Sequence, residues 1–375
     1  MQVPFTLFLA VIFFCVSEAC FGEPEGVSRV LGSGSCATSG CHGGAGLGKG
    51  AYNIWKHSDP HDKASATLTN GQSTAIAQKM GIKSAAESVS CTACHAPMKN
   101  VAPSLLMPAD QGPAEDKDFS CANCHGGAEK WILSHTRPDY PRAALEKLGM
   151  RPLGNAYQRA NACVACHQNL SNELVKANHP PLIFELDGLL VEQPKHWRED
   201  ADFSHVKTWL IGQAVALREI AAQTLREPTD ARTAEIEAIK ELLAASGTGW
   251  DRESKTDLVK AADDFAKRVS EAPMSTTQAR TALGLLLQNR KPFEISAFGK
   301  VAEDHRMRAV GHYAERLALA LDRLNQSLIA AGEKAAFAED ALNELFNAAP
   351  PPKSFDVDIT ENFVRKLDAM TAVNK

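Results

Sequence analysis

The sequence predicts a mainly α-helical chain in two parts: a loop-rich segment organised by paired cysteines, then a purely α-helical domain. Three observations predict it. Four Cys pairs, each followed by a His, fall between residues 36 and 167; Gly and Pro punctuate that stretch; and from about residue 201 the chain has no Cys, few Gly, and apolar residues at helical spacing. With 375 residues, 44% of them hydrophobic, there is room for two domains, placed at 20–200 and 201–375 behind a signal peptide at 1–19.

The N-terminus sets the compartment. Pro4 to Val16 is an apolar run too short to span a bilayer as a helix and right for a signal h-region, although Met1-Gln2-Val3 carries no Lys or Arg and leaves the positive charge to the terminal amine. Ser17 and Ala19 suit cleavage before Cys20. A periplasmic or other extracytoplasmic location is therefore expected. A lipid tether at Cys20 is the lesser alternative, since Ser17-Glu18-Ala19 fits a lipoprotein signal poorly. No later segment is long and apolar enough to cross a membrane.

The pairs are Cys36 and Cys41 before His42, Cys91 and Cys94 before His95, Cys121 and Cys124 before His125, and Cys163 and Cys166 before His167. The last three read C-x-x-C-H, the pattern of covalent c-type haem attachment, in which two thioethers hold the porphyrin and the adjacent imidazole reaches the iron. With 12 His in 375 residues, a His after all four pairs is a chance event of about one in a million. Zinc ribbons also use C-x-x-C pairs but need no His directly behind each. Four c-type haems (iron) are expected, with His42, His95, His125 and His167 as proximal ligands. The first motif has four residues between its sulfurs and must bow the intervening loop.

Those assignments use eight of the ten Cys; Cys15 leaves with the signal and only Cys20 remains, so no disulfide framework is available. The formal charge of −5 becomes more acidic with two propionates per haem, which argues against a nucleic-acid partner. Gly43-Gly44-Ala45-Gly46-Leu47-Gly48 reads as backbone passing close to a flat macrocycle; a phosphate loop would need a preceding strand and a Gly-Lys-Ser/Thr ending.

The sixth iron position calls for a further His or Met. His57 and His61 follow the first motif, with His57 ahead because it lies close to Trp55; His135 ends a helix expected from about Gly127; His179 sits on a stiff segment before Pro180 and Pro181. His196 and His205 are weaker candidates, and Met80, Met98, Met107 and Met150 read as core filler. Imidazole on both sides keeps iron low-spin and the potential low, which favours electron transfer over substrate binding. A helix expected over Ala64 to Met80, ending near Gly81, spaces the first two motifs. Between the second and third, Pro103, Pro108 and Pro113 leave little capacity for a core, so the haems themselves must serve as one.

Seven apolar stripes follow. They run from Val206 to Ile220, Ile236 to Leu243, Leu258 to Val269, Leu283 to Leu287 behind a Ser275-to-Gln278 capping box, Val310 to Leu328 before Gly332, Phe337 to Leu345 before Pro350, and Phe363 to Met370. No chemistry is read in them; His305 and His312 are expected to be solvated.

Over roughly residues 33 to 200 the chain resembles the multihaem cytochromes c of the cytochrome c-554 type, tetrahaem carriers that accept electrons from hydroxylamine oxidoreductase. The resemblance lies in the long-loop first motif with Tyr52, Trp55 and His57; in Cys91-Thr92-Ala93-Cys94-His95-Ala96-Pro97; in Cys121-Ala122-Asn123-Cys124-His125-Gly126 with Trp131 and His135; and in His179-Pro180-Pro181-Leu182 with Phe184-Glu185. It implies a helical, loop-rich haem domain, stacked haem pairs and mainly bis-His iron, and it does not extend clearly to the C-terminal helices. The sequence reading is an exported tetrahaem electron carrier with a redox donor and acceptor as partners. Its rivals are a reductase or oxidase of small nitrogen or sulfur oxides at one five-coordinate haem, and a docking subunit of a larger redox complex.

Overall fold

The computed structural model describes residues 28–46, 48–107, 118–200, 203–251, 257–294, 303–350 and 357–373. The expected signal peptide, Cys15, Cys20, Pro108 and Pro113 lie outside the described residues. Among those described, the chain is mainly helical with no strand, and a lone parallel bridge joins Val30 to Leu106.

The N-terminal half carries short helices: α1 (Ala51–Ser58), α2 (Gly71–Met80), α3 (Val89–His95), α4 (Cys121–His125), α5 (Arg142–Lys147), α6 (Ala156–His167), α7 (Asn172–Lys176) and α8 (Leu186–Glu192). The helix expected over 64–80 divides at Asn70. Pro60–Thr69 winds as a 3-10 helix, and α2 begins where the Asn70 side chain accepts from the Ser73 amide at 2.8 Å. Its end is as read, with Gly81 in the left-handed region at φ 67°.

The helix expected from Gly127 to His135 does not form; turns lead into a 3-10 turn at Ser134–Thr136. The segment at residues 28–29 packs against the start of these turns: Glu129 N donates to Arg29 O at 3.2 Å and Lys130 N to Ser28 Oγ at 3.0 Å. Gly127 lies so close beneath this segment that a Cβ would stand 1.9 Å from Ser28 O.

All seven C-terminal stripes are helices: α9 (His205–Arg226), α10 (Asp230–Ala245), α11 (Leu258–Glu271), α12 (Thr276–Gln288), α13 (Glu303–Ala330), α14 (Glu339–Ala348) and α15 (Val357–Val373). The capping box opens α12 as read, Ser275 Oγ accepting from Gln278 N while Gln278 Oε1 accepts from Ser275 N. One core runs through the bundle and includes Trp209, Leu210, Ile239, Phe265, Leu286, Leu317 and Phe363. Full burial of each such side chain is worth about 1.5–3 kcal/mol.

That core crosses residue 200, because Ala160 and Val164 of α6 and Phe184, Leu186 and Leu190 at α8 belong to it. Gly212 makes the join close; a Cβ there would meet the Leu186 Cβ at 2.8 Å. His305 and His312 are not solvated as expected. His305 Nε2 pairs with Glu237 at 2.9 Å, and burial pushes the His312 imidazole below its ordinary pKa.

Earlier in the chain the apolar interior is thin. It consists of a cluster around Leu68, Ala77, Ala85, Cys91 and Ala96 and another of Ala128, Trp131 and Leu145.

Candidate haem-binding centres

Three of the four motifs end a helix. Cys91, Cys94 and His95 close α3, Cys121, Cys124 and His125 are the span of α4, and Cys163, Cys166 and His167 close α6. Positions i, i+3 and i+4 share one helical face, so two sulfurs and an imidazole project together. Local capping fixes the frames. Ser120 and Asn123 form a capping box on α4, Arg151 Nη1 donates to Asn123 O at 2.6 Å at its other end, and Asn155 caps α6.

The first motif cannot be helical with four residues between its sulfurs. It turns back instead, with His42 N donating to Cys36 O at 3.0 Å and Gly43 N to Thr38 O at 3.1 Å. The following glycines were expected to admit a macrocycle. The structure gives two of them a different task, since a Cβ on Gly43 would lie 1.8 Å from Ala37 O and one on Gly44 2.3 Å from Ser39 O. They let the motif fold onto itself.

Each motif His faces a His from outside the motifs. Ring centres are 6.2 Å apart for His42 and His135, 6.4 Å for His95 and His179, 6.4 Å for His125 and His196, and 6.0 Å for His167 and His61. A metal–imidazole bond of about 2 Å on each side, with about 1.1 Å from nitrogen to ring centre, requires a separation of about 6 Å. Interplanar angles of the four pairs range from 19° to 80°.

His135 and His179 face motif imidazoles, as two of the distal candidates. His57 and His61 exchange rank: His57 is exposed in the last turn of α1, whereas His61, two residues beyond the buried Asp59, turns inward. His196, a weaker candidate from sequence, faces the remaining motif imidazole, His125; Pro194 before it and Trp197, edge-on to its ring at 5.2 Å, were the available signal. His205 Nδ1 instead meets Asp187 at 2.9 Å. Met98 is buried and accepts from Ser120 Oγ at 3.3 Å.

The donor chemistry fits iron porphyrin. His42 Nδ1 donates to Gly48 O at 3.3 Å and His179 Nδ1 to Pro180 O at 2.8 Å; a carbonyl only accepts, so the proton is on Nδ1 and Nε2 keeps its lone pair. Thr67 spends its hydroxyl proton on Ala64 O at 2.7 Å and therefore accepts from His95 Nδ1 at 2.9 Å. His61 Nδ1 meets Asp59 Oδ1 at 2.7 Å. None of the eight motif cysteines is in a disulfide, and two stand with each facing pair. The thin apolar interior around them fits a large apolar group.

Burial raises the thiols of Cys91, Cys124 and Cys163, the last to about 12, and pushes His125 down to about 4 with help from His196 and His42. A hydrogen bond from Cys166 pulls Cys94 down to about 7. Burial also works against the Asp59 carboxylate, but hydrogen bonds from His61 and Gln193 outweigh it and hold its pKa low.

Mutual electrostatic influence shows which pairs are neighbours. Cys94 touches Cys166 and His95 lowers His167; Cys124 raises Cys163, and Asp59 acts on His196; His42 lowers both His125 and His196. The pairs thus follow in the order His95/His179, His167/His61, His125/His196, His42/His135.

Helices that end on two cysteines and a histidine on one face suit covalent attachment of a c-type haem. Residues 35–126 match the profile of the family described as cytochrome c554 and c-prime, and over this segment the chain is similar to that family. The match includes the first three motifs and ends before Cys163. No curated protein and no solved structure matches the chain.

Proposed function

We propose that the protein is an exported tetrahaem cytochrome in which all four irons have two imidazole ligands. Cys36, Cys41, Cys91, Cys94, Cys121, Cys124, Cys163 and Cys166 form the thioethers. His42, His95, His125 and His167 bind on one side, and His135, His179, His196 and His61 on the other. One observation carries this reading: every motif His has a single facing imidazole at 6.0–6.4 Å. When bound, haem supplies a reversible one-electron couple. The chain's own residues hold the ligands in one tautomer, exclude water and set the sites in a connected series between a redox donor and an acceptor.

The facing pairs weigh against the enzyme reading, which needs one motif His with open space opposite. Pyridine haemochrome quantitation per polypeptide, with electron paramagnetic resonance of the oxidised protein, tests the proposal. Four haems and low-spin ferric signals alone are expected. Fewer than three haems, or a high-spin signal that shifts with nitric oxide or hydroxylamine, would overturn it.

A further inference from the structure

The eight facing imidazoles differ in what their outer nitrogens touch. His42 and His179 donate to backbone carbonyls and His95 to a hydroxyl. His135 Nδ1 and His196 Nδ1 are buried with no hydrogen-bond partner among the described residues; the Pro194 carbonyl lies near His196 but outside bonding geometry. His61 Nδ1 alone of the eight meets a carboxylate among the described residues, Asp59 Oδ1 at 2.7 Å.

Asp59 is built into place. It is 2% exposed, its Oδ1 also accepts from His61 N at 3.0 Å, and its Oδ2 accepts from Gln193 Nε2 at 2.9 Å. Gln193 terminates α8 and Asp59 opens the Pro60–Thr69 turn. The contact therefore ties the distal side of one centre to the α8 end of the fold.

A carboxylate that accepts from Nδ1–H draws that proton toward itself and makes Nε2 a stronger donor, which favours ferric over ferrous iron. A carbonyl does this less, and an unpartnered nitrogen not at all. We propose that Asp59 is a positioning residue that lowers the reduction potential of the His61/His167 centre below those of the other three, and that Gln193 moderates it by sharing the carboxylate's charge. The inference rests on the bis-imidazole reading above and assigns that centre the place where an electron is least readily held. Since it adjoins both the His95/His179 and His125/His196 pairs, it acts as a step between the two ends of the series.

The test is a spectroelectrochemical titration of the intact holoprotein and two variants. Asn preserves the capping acceptor, so Asp59→Asn keeps the local turn. It should raise the lowest of the four potentials enough to change the reduced-to-oxidised ratio about tenfold at fixed ambient potential, 59 mV for a one-electron couple. Gln193→Leu should move the same centre the opposite way. A merely structural role would loosen the site in both variants and shift both in one direction. Unchanged potentials in Asp59→Asn, or equal-sign shifts in both variants, overturn the inference. Failure of the underlying reading looks different: His61→Met would leave the low-spin signals and all four potentials intact.

Discussion

His125, at the end of α4, and His196, in the loop after α8, stand with their ring centres 6.4 Å apart. Replacing His196 with Ala should convert one low-spin centre to high spin, with four haems still attached, because the thioethers and His125 are untouched. His57→Ala should leave the resonance spectrum unchanged, since His57 is exposed in the last turn of α1. Paramagnetic resonance of the two variants side by side checks the pairing.

The first motif depends on close backbone contact. A methyl group on Gly43 would overlap Ala37 O at 1.8 Å, whereas one on Gly40, inside the same motif, meets nothing within 4 Å. Gly43→Ala is therefore expected to lose covalent haem at Cys36 and Cys41, and Gly40→Ala to retain it. Intact mass distinguishes the two by one haem per chain.

The shared face of the two cysteines and the histidine in three of the motifs was legible in the sequence because C-x-x-C-H is local: i, i+3 and i+4 on a helix need no tertiary information. The C-terminal helices were legible for the same reason, and all seven apolar stripes fold as read. The pairing of imidazoles across the fold is non-local. Nothing near His57 or His61 states which one turns inward; Trp55 favoured His57, while the buried Asp59 and its bond to Gln193, far along the chain, hold His61 beside His167. The helix expected over Gly127 to His135 is replaced by turns packed against an equally distant segment at residues 28–29.

Glu185 titrates near neutrality. Burial, reinforced by Asp187, raises its carboxyl from its ordinary 4.5 to about 7. The native state then binds the proton more tightly than the unfolded chain, so this group's contribution to stability falls as pH rises from about 4.5 to about 7 and stays low above. Glu185→Gln keeps an acceptor for one of the two amides that the side chain caps, Asp187 N on Oε1 or Gly188 N on Oε2, and loses the other at every pH. Relative to the parent, the variant should therefore be about 3 kcal/mol better placed at pH 8 than at pH 4. Urea midpoints at the two pH values measure the difference. Glu315, also raised to about 7 by burial, leaves in both proteins a residual slope of the same sign.

Arg316 holds the two halves of the chain to one another. From α13 it pairs with Glu235 of α10, and its Nη1 donates to Gln213 Oε1 of α9 at 3.0 Å and to Phe184 O at 3.3 Å, all with 1% of the side chain exposed. Burial pushes the Glu235 carboxyl up, and Arg316 more than cancels that push. Arg316→Met therefore leaves a buried carboxylate without its counter-charge, at a cost of about 3–5 kcal/mol. Adding Glu235→Leu removes the stranded charge and should restore most of the loss, because an apolar pair of similar volume is often no less stable than a buried ion pair. The coupling is read from urea unfolding of both single variants and the double, followed by tryptophan fluorescence with Trp209 and Trp250 buried in the same core. A double variant no more stable than Arg316→Met alone would show that the Gln213 and Phe184 contacts, and not the ion pair, carry the join.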